Sequence, residues 1–108
     1  MEYCYHYTSR YYAQSILADG VIKPRGRDGV VYLAGQLYTS GAEVSDRLGI
    51  SDKPIEICFA IPRTKILGLS APSEAAAKGN RRGKGEEYKT TVGINVVDIV
   101  AIVPVRVP

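Results

Sequence analysis

Tyr3-Cys4-Tyr5-His6-Tyr7-Thr8-Ser9-Arg10-Tyr11-Tyr12-Ala13 sets how the chain begins to fold. Its first six residues alternate, Tyr3, Tyr5 and Tyr7 on one face and Cys4, His6 and Thr8 on the other, which is the period of a strand. The three tyrosines are therefore expected to pack on the face opposite His6, the only histidine of the chain. Ser9 stands where a helix N-cap belongs. Tyr12, Ala13, Ile16 and Leu17 follow at helical spacing, and Asp19-Gly20 ends a helix reaching Ala18.

Working outward, Val21 and Ile22 predict a short extended piece before Pro24, and Gly26-Arg27-Asp28-Gly29 a turn into a compact strand over 30–34. Residues 41–48 predict a second helix closed by Gly49. Ile55, Ile57, Phe59 and Ile61 alternate with Glu56, Cys58 and Ala60, the clearest one-sided strand, bracketed by Pro54 and Pro62. Residues 70–85 predict a polar loop with a brief helical turn at Ala75-Ala76-Ala77, and 87–92 resume extended character. The run 96–107 is expected to be one long strand, with Val97, Ile99, Ala101, Val103 and Val105 on one face. The order β-α-β-β-α-β-loop-β-β describes one compact α+β domain over 1–108, without linker or repeat.

The 108 residues, 45% hydrophobic and 23% charged, suffice for one core that buries roughly 65% of the unfolded surface without a metal or disulfide staple. Nothing approaches the ~20 consecutive apolar residues of a membrane span, and the N-terminus lacks a basic region followed by an apolar one. The expectation is a soluble chain with no membrane association and no export signal of its own. A net charge of +3 permits a polyanionic partner without requiring one. The basic residues gather in two Gly-rich stretches, Lys23, Arg25 and Arg27, and Lys78, Arg81, Arg82 and Lys84, both expected to be solvated loops. Cys4 and Cys58 sit in apolar strand-like runs and are expected as buried thiols suited to a reducing compartment. With one histidine they cannot form a four-ligand zinc site.

Several chemistries lack their residues. Gly79-Asn80-Arg81-Arg82-Gly83-Lys84-Gly85 has three residues between its first glycines where a phosphate loop needs four, and Gly where Ser or Thr should hold magnesium. There is no G-x-G-x-x-G, no H-E-x-x-H and no nucleophile elbow. Cys4 and His6, two apart on a strand, run parallel and cannot act as nucleophile and base.

Three pieces remain: His6-Tyr7-Thr8-Ser9, Gly29-Val30-Val31-Tyr32-Leu33-Ala34 and Glu86-Glu87-Tyr88. Their order and spacing resemble the His-Tyr-Glu signature of ADP-ribosyltransferases of the diphtheria toxin and poly(ADP-ribose) polymerase type, including the small bacterial toxins with a His-Tyr-Asp or His-Tyr-Glu signature. The resemblance implies an ADP-ribosyltransferase-like fold, two packed and mostly antiparallel sheets with short helices around a cleft for NAD. NAD would be the substrate and no metal would be needed. By the same resemblance Glu87 is the catalytic carboxylate at the ribose 2′-hydroxyl, and Tyr32 lies beneath the nicotinamide. His6 bonds a ribose hydroxyl of the adenosine half with Thr8 assisting, the Tyr7 backbone meets the nicotinamide amide, and Ser40, eight residues after Tyr32, contacts nicotinamide. Arg10, with Lys23 and Arg25, is a basic candidate for the pyrophosphate. Strand parity separates Glu87 from Glu86, since Glu87 faces away from the core set Tyr88, Thr90 and Val92.

The implied activity is transfer of ADP-ribose to a macromolecular acceptor, protein or nucleic acid, by a toxin effector domain delivered to the cytoplasm, with an immunity protein as partner. An NAD glycohydrolase on the same scaffold and a catalytically silent module binding a nucleotide, nucleic acid or protein are the alternatives. Structural roles stand beside each functional one: strand packing for Tyr32, solvation for Glu87 and Arg10, a cap or turn for Ser40. The chain departs from the polymerases in having Tyr7 where they have Gly. Gly85 stands where arginine-specific transferases carry Glu or Gln, which argues against that acceptor class. No Arg holds the Tyr32 or Glu87 position, as RNA 2′-phosphotransferases of this fold would require.

Overall fold

The computed structural model describes residues 2–50 and 54–106. Strand β1 (Tyr3–Thr8) ends at Ser9, whose hydroxyl accepts from the Tyr12 amide at 3.2 Å and starts helix α1 (Arg10–Asp19). Gly20 takes the left-handed conformation (φ 78°) and donates its N–H to the Ile16 carbonyl at 3.0 Å, so the helix stops where a residue without a Cβ first allows it. Strands β2 (Val21–Ile22) and β3 (Val31–Ala34), helix α2 (Gly41–Leu48) and strand β4 (Ile57–Pro62) follow. After a 3-10 turn at Arg63–Lys65 come β5 (Ser73–Glu74), β6 (Glu86–Thr90), β7 (Ile94–Asn95), a second 3-10 turn (Val96–Asp98) and β8 (Ala101–Pro104).

Six strands form one antiparallel sheet in the order β5-β6-β3-β1-β4-β8, and β2 pairs with β7 separately. The architecture is a compact α+β fold with two helices among the described residues. Pairing within the large sheet is uneven. β1 is in register with β4 along its whole length, Tyr3 with Pro62 through Thr8 with Ile57, and β3 with β6 from Val31–Thr90 to Ala34–Glu87. Between these halves β1 and β3 share the single registered pair Tyr5–Ala34 and then part. The sheet is thus a fork of two well-paired arms joined near one end.

Arg63 holds the joined end. Its Nε donates to the Tyr3 carbonyl (3.1 Å), one Nη to the Glu2 carboxylate (2.9 Å) and the other to the Gly35 carbonyl (3.4 Å). That second Nη also lies 3.5 Å from Glu86 Oε1, and the guanidinium sits 4.6 Å from the Tyr88 ring centroid. The Glu86 side chain crosses Gly35 so closely that any Cβ there would overlap the carboxylate.

Two apolar clusters cover opposite faces of the sheet. Ala13 and Ile16 of α1 pack with Cys4, Val31, Leu33, Phe59, Ile61 and Tyr88, while Val44 of α2 packs with Ala34, Tyr38, Cys58 and Val105. The expected one-sided strand at β4 is therefore buried on both faces, because α2 closes over Cys58 while α1 lies over Phe59. Tyr12 and Leu17, placed in the α1 core by spacing, are 39% and 47% exposed. Ala75-Ala76-Ala77 is not helical: Ala75 is buried and exchanges backbone hydrogen bonds with Lys84 and Gly85, which hold it extended. The long terminal strand is broken by the 3-10 turn at Val96–Asp98, leaving Val97 85% exposed. Val107 of that predicted run lies outside the described residues. Cys4 and Cys58 are buried free thiols, as expected.

Removing the Arg63 side chain strips donors from two strand-end carbonyls and from Glu86. Arg63→Ala is expected to lower unfolding free energy by about 2–3 kcal/mol, against a clearly smaller loss for Arg82→Ala, whose pair with Asp46 is solvent-facing. Urea midpoints compare the two, and equal losses would remove Arg63 from its place at the fork.

Candidate functional site

Where β1 and β3 part, the gap opens into a cleft of about 630 Å³ walled by the sheet, α1 and the turn after β2. The volume lies within the range of small-molecule sites. Because the strands diverge, side chains from both faces reach it: Tyr5 and Tyr7 from one face of β1, His6 and Thr8 from the other. Tyr32 and Ala34 enter from β3, and Glu87, registered opposite Ala34, from β6. Glu86 turns the other way, toward Arg63, as alternation requires.

His6 bridges the fork. Its Nδ1 lies 3.1 Å from the Tyr32 carbonyl oxygen, which can only accept, so Nδ1 carries the proton. Burial outweighs that bond and pushes the imidazole below its ordinary value of 6.5. A neutral ring protonated on Nδ1 leaves Nε2 as an acceptor, suited to a hydroxyl. Burial likewise raises the Glu87 carboxyl above the usual carboxylate range, with Lys89 and Lys78 opposing the shift. The Tyr32 phenol, 44% exposed, donates to Asp28 Oδ2 at 2.6 Å. The Asp28 bond, then burial, then the charges of Asp28 and Glu87 raise its pKa.

Of the residues singled out in the sequence, His6, Tyr7, Thr8, Tyr32 and Glu87 share this cleft. Lys23 and Arg25 line it as well, and the Arg25 guanidinium is 5.9 Å from the centroid of the Tyr12 ring. Ser40 and Arg10 are not among its lining residues. Ser40 caps α2, accepting from the Glu43 amide at 3.2 Å, and Ser40-Gly-Ala-Glu43 has the capping-box spacing. Arg10 opens α1, its amide bonded to Glu56 Oε1 (3.2 Å) and its guanidine 3.9 Å from the same carboxylate. Tyr5 and Tyr7, expected as packing opposite His6, pack on the α2-side cluster and also border the cleft. The Tyr7 hydroxyl receives the Tyr38 amide at 2.6 Å and donates to the Gln36 carbonyl at 3.3 Å, turning the bulk of Tyr7 toward the β3–α2 connection. Tyr12, Leu48 and Ile50 complete the wall, and no local pattern marked them for it. Among the described residues no cluster of His, Cys, Asp and Glu could hold a metal, and no helix is long and apolar enough to cross a membrane.

Comparison of the chain with family models, with curated proteins and with solved structures finds no match.

The depressed His6 value has a signed consequence. Below 6.5 the unfolded chain binds a proton that the folded chain resists, so stability rises with pH up to about 6.5 and is lost as pH falls toward the folded value. Urea unfolding between pH 5 and 7 is expected to show this slope. His6→Asn, whose amide can still donate to the Tyr32 carbonyl, should flatten it. Because Glu87 contributes a slope of opposite sign, the variant is the reference: wild-type and His6→Asn stabilities that run parallel across that window would contradict a neutral His6.

Proposed function

We propose that the chain is an NAD-dependent ADP-ribosyltransferase on an ADP-ribosyltransferase-like fold, cleaving the nicotinamide–ribose bond and passing ADP-ribose to a macromolecular acceptor. What supports the reading is the meeting of His6, Tyr32 and Glu87, far apart in sequence and on three different strands, in one cleft.

The reaction asks for these groups. As the bond between ribose C1′ and the nicotinamide ring nitrogen breaks, its electron pair leaves with nicotinamide and positive charge builds on the ribose. A Glu87 carboxylate accepting from the 2′-hydroxyl stabilises what develops only in the transition state. Burial makes that carboxylate more basic, which strengthens the hydrogen bond it accepts. The Tyr32 ring offers a face to nicotinamide. His6 accepts a ribose hydroxyl at Nε2, with Thr8 beside it and the Tyr7 backbone toward the carboxamide, and Lys23 and Arg25 supply positive charge for the pyrophosphate. The acceptor's nucleophile bonds C1′ and releases its proton. Water in that place makes the enzyme a glycohydrolase with the same residues.

Incubation with labelled NAD, with and without cell lysate, separates the outcomes. Labelled macromolecules indicate transfer, and nicotinamide release without labelling indicates hydrolysis. Neither signal would leave only a binding module and overturn the enzymatic reading. Glu87→Gln is expected to cut nicotinamide release by about 100-fold or more. It should leave stability at neutral pH equal or slightly higher, since the wild-type charge is held against a desolvation cost. An unchanged rate would remove Glu87 from the chemistry. Tyr32→Ala should weaken NAD binding by about tenfold or more in calorimetric titration, the scale of one lost aromatic stack.

A further inference from the structure

Tyr32 enters the cleft from β3 with its ring 44% exposed, so little packing restrains its orientation. A side chain so placed would be spread over rotamers, and a ligand stacking on it would have to immobilise it. One contact opposes this. The Tyr32 hydroxyl donates to Asp28 Oδ2 at 2.6 Å, a short bond to a charged acceptor, of the kind roughly twice as strong as a neutral pair.

The turn that carries Asp28 is closed by backbone bonds of its neighbours. Asp28 lies in the Gly26-Arg27-Asp28-Gly29 turn, where the Gly29 amide donates to the Gly26 carbonyl at 3.3 Å and the Arg25 amide to the Val30 carbonyl at 3.3 Å. The turn is therefore tied to the start of β3, and its carboxylate returns to the ring four residues on. Asp28 is not among the residues lining the cleft, whereas Lys23 and Arg25 of the same connection are.

We propose that Asp28 is a positioning residue: through the Tyr32 hydroxyl it fixes the ring plane in the cleft before substrate arrives, and it ties the basic connection carrying Lys23 and Arg25 to that ring. The inference rests on the reading of Tyr32 as the surface for nicotinamide. It adds that the surface is preset from outside the cleft. Ordering borne by the fold need not be supplied by the ligand, so the effect belongs to binding, shared by ground and transition states, more than to turnover.

The bond can be read without activity. The groups facing the phenol are Asp28 from the turn and, from β6, Glu87 and the registered neighbour Lys89. In protein carrying 13Cζ-labelled tyrosine, the Tyr32 resonance, assigned by its loss in Tyr32→Phe, should titrate above the ordinary tyrosine range and move down in Asp28→Ala. With NAD as the probe, Asp28→Ala should raise Kd by about three- to tenfold, the cost of immobilising one side chain, with kcat within about twofold and the melting midpoint lowered by a few degrees at most. Tyr32→Phe should raise Kd by a similar factor, and the double variant should bind NAD no worse than either single one, because both delete the same bond. Asp28→Asn, which keeps an acceptor, should recover part of the affinity. Unchanged titration in Asp28→Ala overturns the bond. Lowered titration with unchanged NAD affinity overturns the positioning role. Wild-type protein that fails to bind NAD while Tyr32 still titrates high overturns the reading of the site, and with it the role of Asp28 there, while leaving the bond established.

Discussion

The two arms of the sheet are held together at one end by the guanidinium of Arg63, and the cleft follows from how little else joins them. A sheet registered along every strand would present two flat faces and no gap. Here β1 and β3 keep the one pair Tyr5–Ala34, and Arg63 reaches past it to Tyr3, Gly35 and Glu86. Arg suits the place because its planar fork of donors serves several acceptors at once while its face rests on Tyr88, which a Lys ammonium could not do. With that end closed, the other can open without separating the arms.

Opening a sheet costs backbone hydrogen bonds, and His6 offsets part of the cost. Beyond Tyr5 the imidazole substitutes for a ladder bond by donating Nδ1–H to the Tyr32 carbonyl. The first strand thus remains tied to the second while a wedge of space forms between them. The same bond selects the tautomer and leaves Nε2 as an acceptor. One side chain is both a splint in the sheet and a polar group of the cleft, and neither Asn nor Gln can place an equivalent pair of nitrogens.

Most of the elements were legible in the sequence because their signals are local. Ser9 and Gly20 bound α1 and Gly49 closes α2 over Gly41–Leu48 as the pattern predicts, and β1 alternates over the expected residues. Alternation also separated Glu87 from Glu86 correctly, because parity survives wherever a strand is regular. The fork was not legible. It is a place where pairing stops, and no residue encodes a missing neighbour. That is why alternation places the side chains of Tyr5 and Tyr7 in packing only: the rule of two faces assumes an unbroken sheet, and at a split both faces border the gap. β4 is buried on both faces although its pattern predicts one, because Cys58 and Ala60 are small and alternation in size resembles alternation in polarity. Ser40 carried its own correction in Glu43, whose spacing marks a helix cap more directly than its distance from Tyr32 marks a site.

The protonation states of the cleft point one way. Burial drives His6 toward neutrality and Glu87 toward its protonated form, so desolvation favours the uncharged state of both. The two shifts oppose each other in stability. His6 makes the fold more stable as pH rises to about 6.5, whereas Glu87 destabilises it as pH climbs from 4.5 through its raised folded value. At neutral pH the cleft holds a neutral acceptor at His6, and the fold bears the cost of whatever charge Glu87 carries. A half-buried carboxylate in no salt bridge among the described residues is a poor stabilising device. Glu87 keeps that charge where the arms join, opposite Ala34 of the Tyr5–Ala34 pair and lining the same cleft as Tyr32 and His6, and under the proposed reading a ligand hydroxyl would supply it with a donor.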